Sequence, residues 1–593
     1  MGGPRPFRIG GRIIRHPRPP EDLRARDRDA PNGNGETQLT TSVAKPQQDE
    51  GLPSTRSVLL VFAGLMVAML LASLDQTIFS TALPTIVGQL NGVEHMLWVT
   101  TAYILASTIV MPVYGKLGDL IGRKWLFIIA ISIFLVGSVM GGLADSMTTL
   151  IAGRAVQGLG GGGLMILALA IIADVVPARQ RGKYSGIMGA VFAVSSVAGP
   201  LLGGFFTDGP GWRWAFWMNI PLGILAIVSA LFFLKLPKRA YSKPRIDYPG
   251  MIVLAAAATS LVLFTTWGGN TYDWNSPVII GLIIATVVFA GLFVFIESRA
   301  VEPVIPLKLF KNRNFNLTTS AGLITGVAMF GALAYMPTYL QMVTGVGATS
   351  AGLLMIPMMG ALLISSIGSG QIVSKTGRYK LIPIVGMFVT ALGLFLLSTL
   401  TAETAIWIMC AFLAVMGFGL GMSMQILTLV VQNSFPRAIV GTATSSNNFF
   451  RQIGSSLGAA IVGSLFVGRL TDLLASNLPA GGTGGTGNNS LTPAIVSALP
   501  DAVRTIVVDA YNDALTPIFL YMVPLVLVAA VLLMFVVEKP LATRIEKTEG
   551  EISFEAEVLD ESLAAGANPT VEPVLSERTG SIRTVDENEK QSV

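Results

Sequence analysis

The sequence has few charged residues for its length. Only 13% of its 593 residues are charged, about half the fraction of an ordinary soluble domain. Residues 57–537 hold only 24 of the 40 Lys and Arg residues and 15 of the 35 Asp and Glu residues. So few charges cannot form the water-exposed surface of such a long segment. This excludes a soluble multidomain enzyme, a nucleic-acid binder and a disordered scaffold.

Histidine and cysteine are also scarce. Cys410 is the only cysteine, so no intramolecular disulfide is possible, and His16 and His95 are the only histidines. This scarcity argues against haem, di-iron and zinc enzymes, which are built on clusters of such ligands. We therefore expect no catalytic centre, no metal and no cofactor. Any proton chemistry inside the apolar segments must use carboxylates.

Long apolar runs, in contrast, are abundant. A helix needs about 20 apolar residues to cross a bilayer, and fourteen segments reach or approach that length. They cover residues 58–83, 97–115, 125–143, 149–173, 185–206, 215–234, 249–268, 277–296, 316–340, 349–370, 381–400, 404–431, 440–466 and 515–537. The sequence therefore predicts an all-α integral membrane protein with fourteen transmembrane helices in a lipid bilayer.

Basic residues between these segments predict the orientation. With the N-terminus inside, nineteen Lys and Arg residues fall in cytoplasmic loops, and only Arg213, Arg469 and Arg504 fall in outside loops. Positive charge accumulates on the cytoplasmic side of membrane proteins. We therefore expect both termini in the cytoplasm. The predicted location is the cell membrane, with the vacuolar membrane as the alternative.

The polar segments form two tails and one long loop. Residues 1–57 and the acidic residues 538–593 have the composition of disordered cytoplasmic tails. Residues 467–514 predict an outside loop. This loop carries the sequon Asn488-Asn489-Ser490, so Asn488 is a candidate glycosylation site.

Two loops have related sequences. Residues 115–124 read GKLGDLIGRK, and residues 370–380 read GQIVSKTGRYK. Together with the span count, the match predicts a six-helix bundle at 58–236 and a second one at 316–537. The intervening residues 237–315 would hold cytoplasmic linkers and a two-helix insert at 249–296. Parallel repeats of this kind place a substrate site between the two halves, near the middle of the membrane.

Six motifs carry a specific resemblance to a known family. They are LDQTIFSTALP (74–84), GKLGDLIGRK (115–124), AGRAVQGLGGG (152–162), SVAGPLLGG (196–204), WRWAFWMNIP (212–221) and FRQIGSSLGAA (450–460). With them the chain resembles the fourteen-span drug:proton antiporters of the major facilitator superfamily, and it is similar to fungal multidrug and toxin efflux pumps. The resemblance implies export of hydrophobic or amphipathic small molecules by a monomer that a proton gradient drives through alternating access.

Asp75 is the only acid well inside a span, and Arg154 lies inside the fourth span. In the fold that the resemblance implies, both spans line the central cavity, so a contact between Asp75 and Arg154, direct or through Gln157, is sterically plausible. A nearby cation favours a charged carboxylate, whereas burial favours the neutral acid. Movement of Arg154 would then switch the proton affinity. The alternatives are a static buried pair and an Arg154 side chain that reaches the outer interface.

The loop at 115–124 has two interpretations. In the simpler one, Gly115 allows close helix approach, Asp119 suits the start of the third span, Gly122 permits a tight backbone and Arg123 anchors the cytoplasmic face. The resemblance implies instead a conformational latch. In that latch, Asp119 and Arg123 bond to neighbouring helices in the outward-open state and release them in the inward-open state.

The fifth span contains small residues and a proline. Gly199, Gly203 and Gly204 favour helix packing, and Pro200 removes a backbone donor and bends the helix. The resemblance implies that this kinked helix marks antiporters and seals against a helix of the other half.

The candidate residues of the substrate cavity are Tyr103, Gln425, Asn447 and Arg451. Arg451 lies near the middle of the thirteenth span. Its expected partners are backbone carbonyls, Gln425, Asn447 or an anionic group of the substrate, and a structurally satisfied arginine is an equal alternative. Methionines are expected mainly in packing or at the lipid surface, although some could hold apolar drugs.

Two other functions remain open. One is transport of basic amino acids or siderophores in the vacuolar or plasma membrane, against which the scarcity of cavity carboxylates counts. The other is a nutrient sensor on the same scaffold that does not transport. The intact loop at 115–124 argues against that loss of transport.

Overall fold

The computed structural model describes residues 55–90, 95–234, 236, 245–269, 271–477, 496 and 499–542. Helices account for nearly all of the regular structure in these ranges, besides one isolated bridge between Gly268 and Tyr272. Asn488 and almost all of both predicted tails lie outside the described residues.

Sixteen α-helices and two short 3₁₀-helices make up the described part of the chain. The α-helices are α1 Thr55–Gln89, α2 Met96–Ile121, α3 Arg123–Gly142, α4 Met147–Val175, α5 Ala178–Asp208, α6 Trp214–Trp217, α7 Asn219–Phe233, α8 Tyr248–Trp267, α9 Pro277–Glu297, α10 Arg313–Thr344, α11 Ala348–Leu354, α12 Ile356–Thr376, α13 Leu381–Ser398, α14 Ile406–Ser434, α15 Val440–Asn477 and α16 Asp501–Met534. The 3₁₀-helices are Leu307–Lys311 and Arg437–Ile439.

Fourteen segments of the described chain are long and apolar enough to cross a membrane. The prediction of fourteen spans is therefore confirmed. The short helices α6 and α7 together form one span, and α11 and α12 together form another. In both cases the sequence pattern predicts the span but not the break inside it.

The same helix contacts occur twice. In the first half, α4 packs against α2 and α3, and α1 packs against α5 and α7. In the second half, α14 packs against α12 and α13, and α10 packs against α15 and α16. Each contact in one half has its equivalent in the other. This is the arrangement of two six-helix bundles that the related loops predict.

The predicted outside loop at 467–514 is much shorter than expected. Helix α15 continues to Asn477, and α16 begins already at Asp501. Leu470, Leu474 and Val507 are buried in one hydrophobic cluster. The residue at which the hydropathy falls is therefore not the end of either helix. An amphipathic helix can continue beyond the membrane when its apolar side is covered.

The two-helix insert packs against the outside of the bundles. Helix α8 contacts both α2 and α15, and α9 packs against α8. In α9 only Ile279 and Glu297 are buried, and the mean hydropathy of this span is 3.0. A helix that is apolar and exposed on nearly every side is suited to lipid contact. The insert therefore covers the α2–α15 contact from the lipid side.

Candidate functional site

The two bundles meet in a seam where α5 packs against α12 and α2 packs against α15. At one end of the seam lie the connections α2–α3, α4–α5, α12–α13 and α14–α15. We call this end the basic face, since Arg123, Arg179, Arg378 and Arg437 lie there. It is the end that the charge pattern predicts to be cytoplasmic.

Asp119 connects the two bundles at the basic face. Its carboxylate accepts hydrogen bonds from the backbone N–H of Gly441 (3.2 Å) and from the N–H and hydroxyl of Thr442 (2.6 and 2.8 Å). These residues begin α15 of the second bundle. The simpler interpretation placed Asp119 at the start of its own third span and is wrong. The carboxylate instead stabilises a helix N-terminus across the seam, where orphan N–H groups and the helix dipole favour an anion.

Arg123 extends this connection into a chain of charges. It donates to Asp119 (2.7 Å) and to Asp174 (2.8 Å), and it also donates to the carbonyl of Ala170. From the second bundle, Arg437 donates to the carboxylate of Asp174 at 3.2 Å. We call Asp119, Arg123, Asp174 and Arg437 the seam cluster.

Arg123 lies at the face predicted to be cytoplasmic, but its side chain is only 1% exposed and belongs to the contact between the bundles. The two neighbouring carboxylates explain this burial, since a buried charge needs paired and hydrogen-bonded partners. A tight backbone turn precedes Arg123, and Gly122 there has φ +91°.

Glycines bring the backbones of the two bundles into direct contact. A Cβ on Gly370 would lie 2.1 Å from the Gly182 carbonyl oxygen, and one on Gly186 would lie 2.7 Å from that of Ser366. A Cβ on Gly115 would lie 1.9 Å from the Ser445 hydroxyl oxygen. The seam is therefore too close for larger residues at these positions.

The Gly-Pro motif of α5 does not form the seam in this conformation. A Cβ on Gly199 would lie 2.0 Å from the Thr77 hydroxyl oxygen in α1 of the same bundle, whereas Gly204 has open space. Gly203 is buried, and α5 continues as a helix through Pro200. The expected seal of α5 against a helix of the other half is present, because α5 packs against α12, but it uses glycines nearer the basic face than this motif.

Asp75 lies in a buried polar cluster inside the first bundle. One carboxylate oxygen accepts from Arg154 (2.5 Å), and the other accepts from Gln157 (2.7 Å) and Asn219 (3.1 Å). Gln157 and Asn219 also donate to Ser138. We call these five residues the Asp75 cluster. The sequence placed Asp75, Arg154 and Gln157 together but missed Asn219 and Ser138.

Arg154 is held from every side. Its guanidinium lies between the rings of Phe79 and Tyr103, 4.3 and 4.4 Å from their centroids, and its Nε donates to the Val99 carbonyl. The residue is 1% exposed. The alternative in which Arg154 reaches the outer interface is therefore wrong. Cation–π contacts and the ion pair together stabilise a charge that would otherwise be costly in the membrane.

The first and fourth spans both line the central cavity as expected, but Asp75 itself does not in this conformation. The α1 residues at the cavity are Met69, Ala72, Ser73 and Gln76, while Asp75 is 0% exposed. Successive helical residues are about 100° apart around the axis, so Asp75 points away from Gln76 toward α4 and α7.

Tyr103 separates the Asp75 cluster from the cavity. It lines the cavity and also contacts Arg154, and its hydroxyl donates to the Ala72 carbonyl.

The central cavity lies between the bundles. Residues from α1, α2, α4 and α5 line one side, and residues from α10, α12, α14 and α15 line the other. Its volume is about 110 Å³, compared with roughly 10–15 Å³ for one water molecule on this measure. Tyr103, Gln425 and Arg451 line it, as predicted from the sequence.

Asn447 does not line the cavity. It donates to the Thr319 hydroxyl at 3.1 Å, and its neighbour Asn448 lines the cavity instead. Asn448 accepts a hydrogen bond from Arg451 at 2.6 Å, so it is the partner that the sequence left undetermined between Gln425, Asn447 and others. Its position three residues before Arg451 on one helix was the available signal.

Six methionines also line the cavity. They are Met69, Met111, Met165, Met188, Met329 and Met424. Flexible thioethers adapt to ligands of different shape, so this lining suits apolar molecules without demanding one shape.

Comparison with known proteins finds relatives of similar sequence and solved structures of similar fold. The chain is 40% identical over 430 residues to the multidrug transporter protein MdtP of Bacillus subtilis, which covers 72% of this chain and 79% of that protein. It is 33% identical over 473 residues to the MFS-type efflux pump MFS1 of Trichophyton rubrum, with 77% and 87% covered. The expected similarity to fungal efflux pumps is thus confirmed.

A solved structure of the proton:xylose symporter XylE superposes with a TM-score of 0.53 at 16% identity, covering 82% of this chain and 98% of that one. At this identity the likeness concerns the fold. The family model described as Major Facilitator Superfamily matches residues 65–459. The chain is therefore a multi-pass membrane protein that belongs to the Major Facilitator Superfamily.

Proposed function

We propose that this protein exports hydrophobic or amphipathic small molecules, such as drugs, toxins or secondary metabolites, in exchange for protons. The observation that carries the proposal is the cavity between two equivalent bundles, lined by methionines and a few polar groups. The relatives named multidrug transporter and efflux pump support it. We place the protein in the cell membrane as a monomer, with both termini in the cytoplasm.

Transport proceeds by alternating access. The seam cluster and the seam glycines hold the basic face closed, so substrate in the cavity is blocked from that side. Opening of the basic face breaks the bonds from Asp119 to α15 and from Arg437 to Asp174. Because these bonds join the two bundles, they stabilise one of the two conformations and can bias the equilibrium between them.

Proton coupling belongs to Asp75. In this conformation Arg154 neutralises the carboxylate, and Tyr103 lies between it and the cavity. Protons therefore reach Asp75 only when Arg154 and Tyr103 move. Without its cation, a buried carboxylate gains from binding a proton. The movement of Arg154 thus exchanges an ion pair for a neutral acid.

The test is transport by the purified full chain in proteoliposomes with an imposed pH gradient. The probe is 4-(1-pyrenyl)butanamide, a neutral apolar molecule. We expect the wild type to move the probe against its gradient and Asp75→Asn to bind it but lose the pH-driven component. The control, Asp145→Asn, removes an exposed acid between α3 and α4. Undiminished pH-driven export by Asp75→Asn would contradict the assignment of Asp75.

The other two functions have less support. A transporter of basic amino acids needs acidic groups around its substrate, and none of the described residues that line the cavity is Asp or Glu. A sensor that does not transport has no need for a latch, whereas Asp119 makes three hydrogen bonds across the seam.

A further inference from the structure

The central cavity is asymmetric in charge. Among the described residues that line it, Arg451 is the only one with a permanent charge. Asp75 does not line the cavity, because it is paired with Arg154 behind Tyr103. The cavity therefore carries one positive charge without a carboxylate partner in its described lining.

The protein orients the Arg451 side chain but forms a hydrogen bond with only part of its guanidinium group. Its Nη2 donates to Asn448 at 2.6 Å, and Asn448 in turn donates to the Thr444 carbonyl, which fixes the amide. The guanidinium makes no other hydrogen bond in the described structure. Its nitrogens without a bond are not buried, because none of them is among the buried polar atoms that lack a partner. Its remaining N–H groups are therefore open to the cavity. A guanidinium always carries its proton and binds a carboxylate through two parallel hydrogen bonds.

The part of the lining that α4 and α5 contribute is apolar. Helix α15 contributes Asn448, Arg451, Gln452 and Ser455, all of which are polar. Helices α4 and α5 contribute Met165, Leu169, Met188, Val191 and Phe192, together with two glycines from α4 and one from α5. One cavity thus combines a cationic, hydrogen-bonding wall with a flexible apolar wall.

We propose that the cavity selects amphipathic anions, with an acidic group on Arg451 and Asn448 and an apolar body against the α4–α5 wall. The proposal rests on the proposed export function and specifies its substrate class. Desolvation of Arg451 by an apolar body strengthens its attraction for an anion, since charges interact more strongly in a low-dielectric site. A cation placed in the same cavity meets repulsion and no compensating carboxylate in the described lining.

Three probes with one apolar body test the proposal. They are 4-(1-pyrenyl)butanoate, its neutral amide and the corresponding trimethylammonium compound. Binding to the purified full chain is measured by fluorescence, and export is measured in proteoliposomes. We expect the butanoate to bind the wild type at least about tenfold more tightly than the ammonium compound, which is the range of one hydrogen bond between charged groups.

Two variants assign this preference to the side chain. Arg451→Gln keeps donors but removes the charge, so butanoate affinity should fall about tenfold or more while amide affinity changes less than about twofold. Arg451→Lys keeps the charge without the two-pronged geometry and should be intermediate. The control, Arg504→Gln, removes an exposed charge that pairs with Asp501. If Arg451→Gln does not fold, as judged by thermal unfolding, Arg451→Lys decides alone.

The outcomes separate this inference from the export function. Two results would overturn the inference but not the function, provided that the amide is exported. One is equal binding of the butanoate and the ammonium compound, and the other is an equal loss of affinity for all three probes in either variant. Anion-selective binding that depends on Arg451, without export of any probe, overturns the function but supports the site. Absence of both binding and export overturns both.

Discussion

Removal of the Asp119 charge should open the basic face. Asp119 makes three hydrogen bonds to the start of α15, and its side chain is only 4% exposed. In Asp119→Asn the amide keeps one acceptor oxygen but turns an NH₂ group toward the N–H and hydroxyl of Thr442. The hydroxyl can accept from the NH₂ group but the backbone N–H cannot, so one bond is lost. The variant has nearly the shape of the original, so the change isolates charge and hydrogen bonding.

The magnitude follows from the bonds that are lost. A hydrogen bond to a charged group contributes about 1.5–3 kcal/mol, and a charge at a helix N-terminus about 0.3–1 kcal/mol. Only the closed form loses these contributions, because Asp119 is hydrated when the basic face opens. Loss of one charged bond and the terminus effect amounts to about 3 kcal/mol. The open-to-closed ratio should therefore rise about 100-fold.

Spin labels across the seam measure this ratio. Cys410 is the only native cysteine, so Cys410→Ser gives a background without reactive thiols. Labels at Gln180→Cys and Lys375→Cys occupy exposed positions on α5 and α12, on the two sides of the seam. The double electron–electron resonance distance distribution should show one short component in the background protein and a dominant longer component after Asp119→Asn.

The matched control is Asp145→Asn, which removes an exposed acid from the opposite end of the first bundle. It should leave the distance distribution unchanged. If Asp119→Asn also leaves the short component dominant while the protein remains folded, the seam bonds do not set the conformational equilibrium and the latch interpretation is wrong.

The glycines yield two further predictions. Gly370→Ala would place a Cβ 2.1 Å from the Gly182 carbonyl oxygen, so we expect the same spin-label pair to move apart, whereas Gly368→Ala, which has open space, should change nothing. An unchanged distance in Gly370→Ala would show that the seam can absorb a methyl group. Gly122→Ala forces a side chain at φ +91° and ψ 153°, which should destabilise the fold by about 1–3 kcal/mol. A thermal unfolding midpoint equal to wild type would contradict the strain.

The fold was largely predictable because the membrane imposes strong constraints. Every backbone polar group in the bilayer must be bonded internally, so apolar runs of sufficient length must be helices. The related loops at 115–124 and 370–380 then predict the repeat. The extramembrane turns of α15 and α16 were missed, because Arg469 and Asp501 interrupt the hydropathy signal but not the helices.

The sequence allowed most residues of the sites to be identified, but it was less successful in placing their side chains. A charge such as Asp75 or Arg154 in an apolar run has few ways to be satisfied, so their pairing follows from the composition. Their place behind Tyr103 depends on the rotation of α1, which the sequence pattern does not determine. Likewise, the choice of Asn448 over Asn447 as the partner of Arg451 is a matter of helical phase.

Helix α4 packs closely against its neighbours α2 and α3. A Cβ on Gly160 would lie 2.5 Å from the Ala130 carbonyl oxygen of α3, and one on Gly162 would lie 2.4 Å from that of Ser107 in α2. Helices α2, α3 and α4 are therefore in direct backbone contact, and α4 carries both Arg154 and the seam residue Asp174.

Helix α1 has side-chain bonds both to α4 and to the seam helix α5. Asp75 and its bonds to Arg154 and Gln157 join α1 to α4. On another side of α1, Thr77 donates to the Ser195 carbonyl of α5, and α5 forms the seam with α12. The two connections use different residues of α1, so Asp75→Asn would weaken the first and leave the second in place. Through these two connections, α1 links the Asp75 cluster to α5 and thereby to the seam.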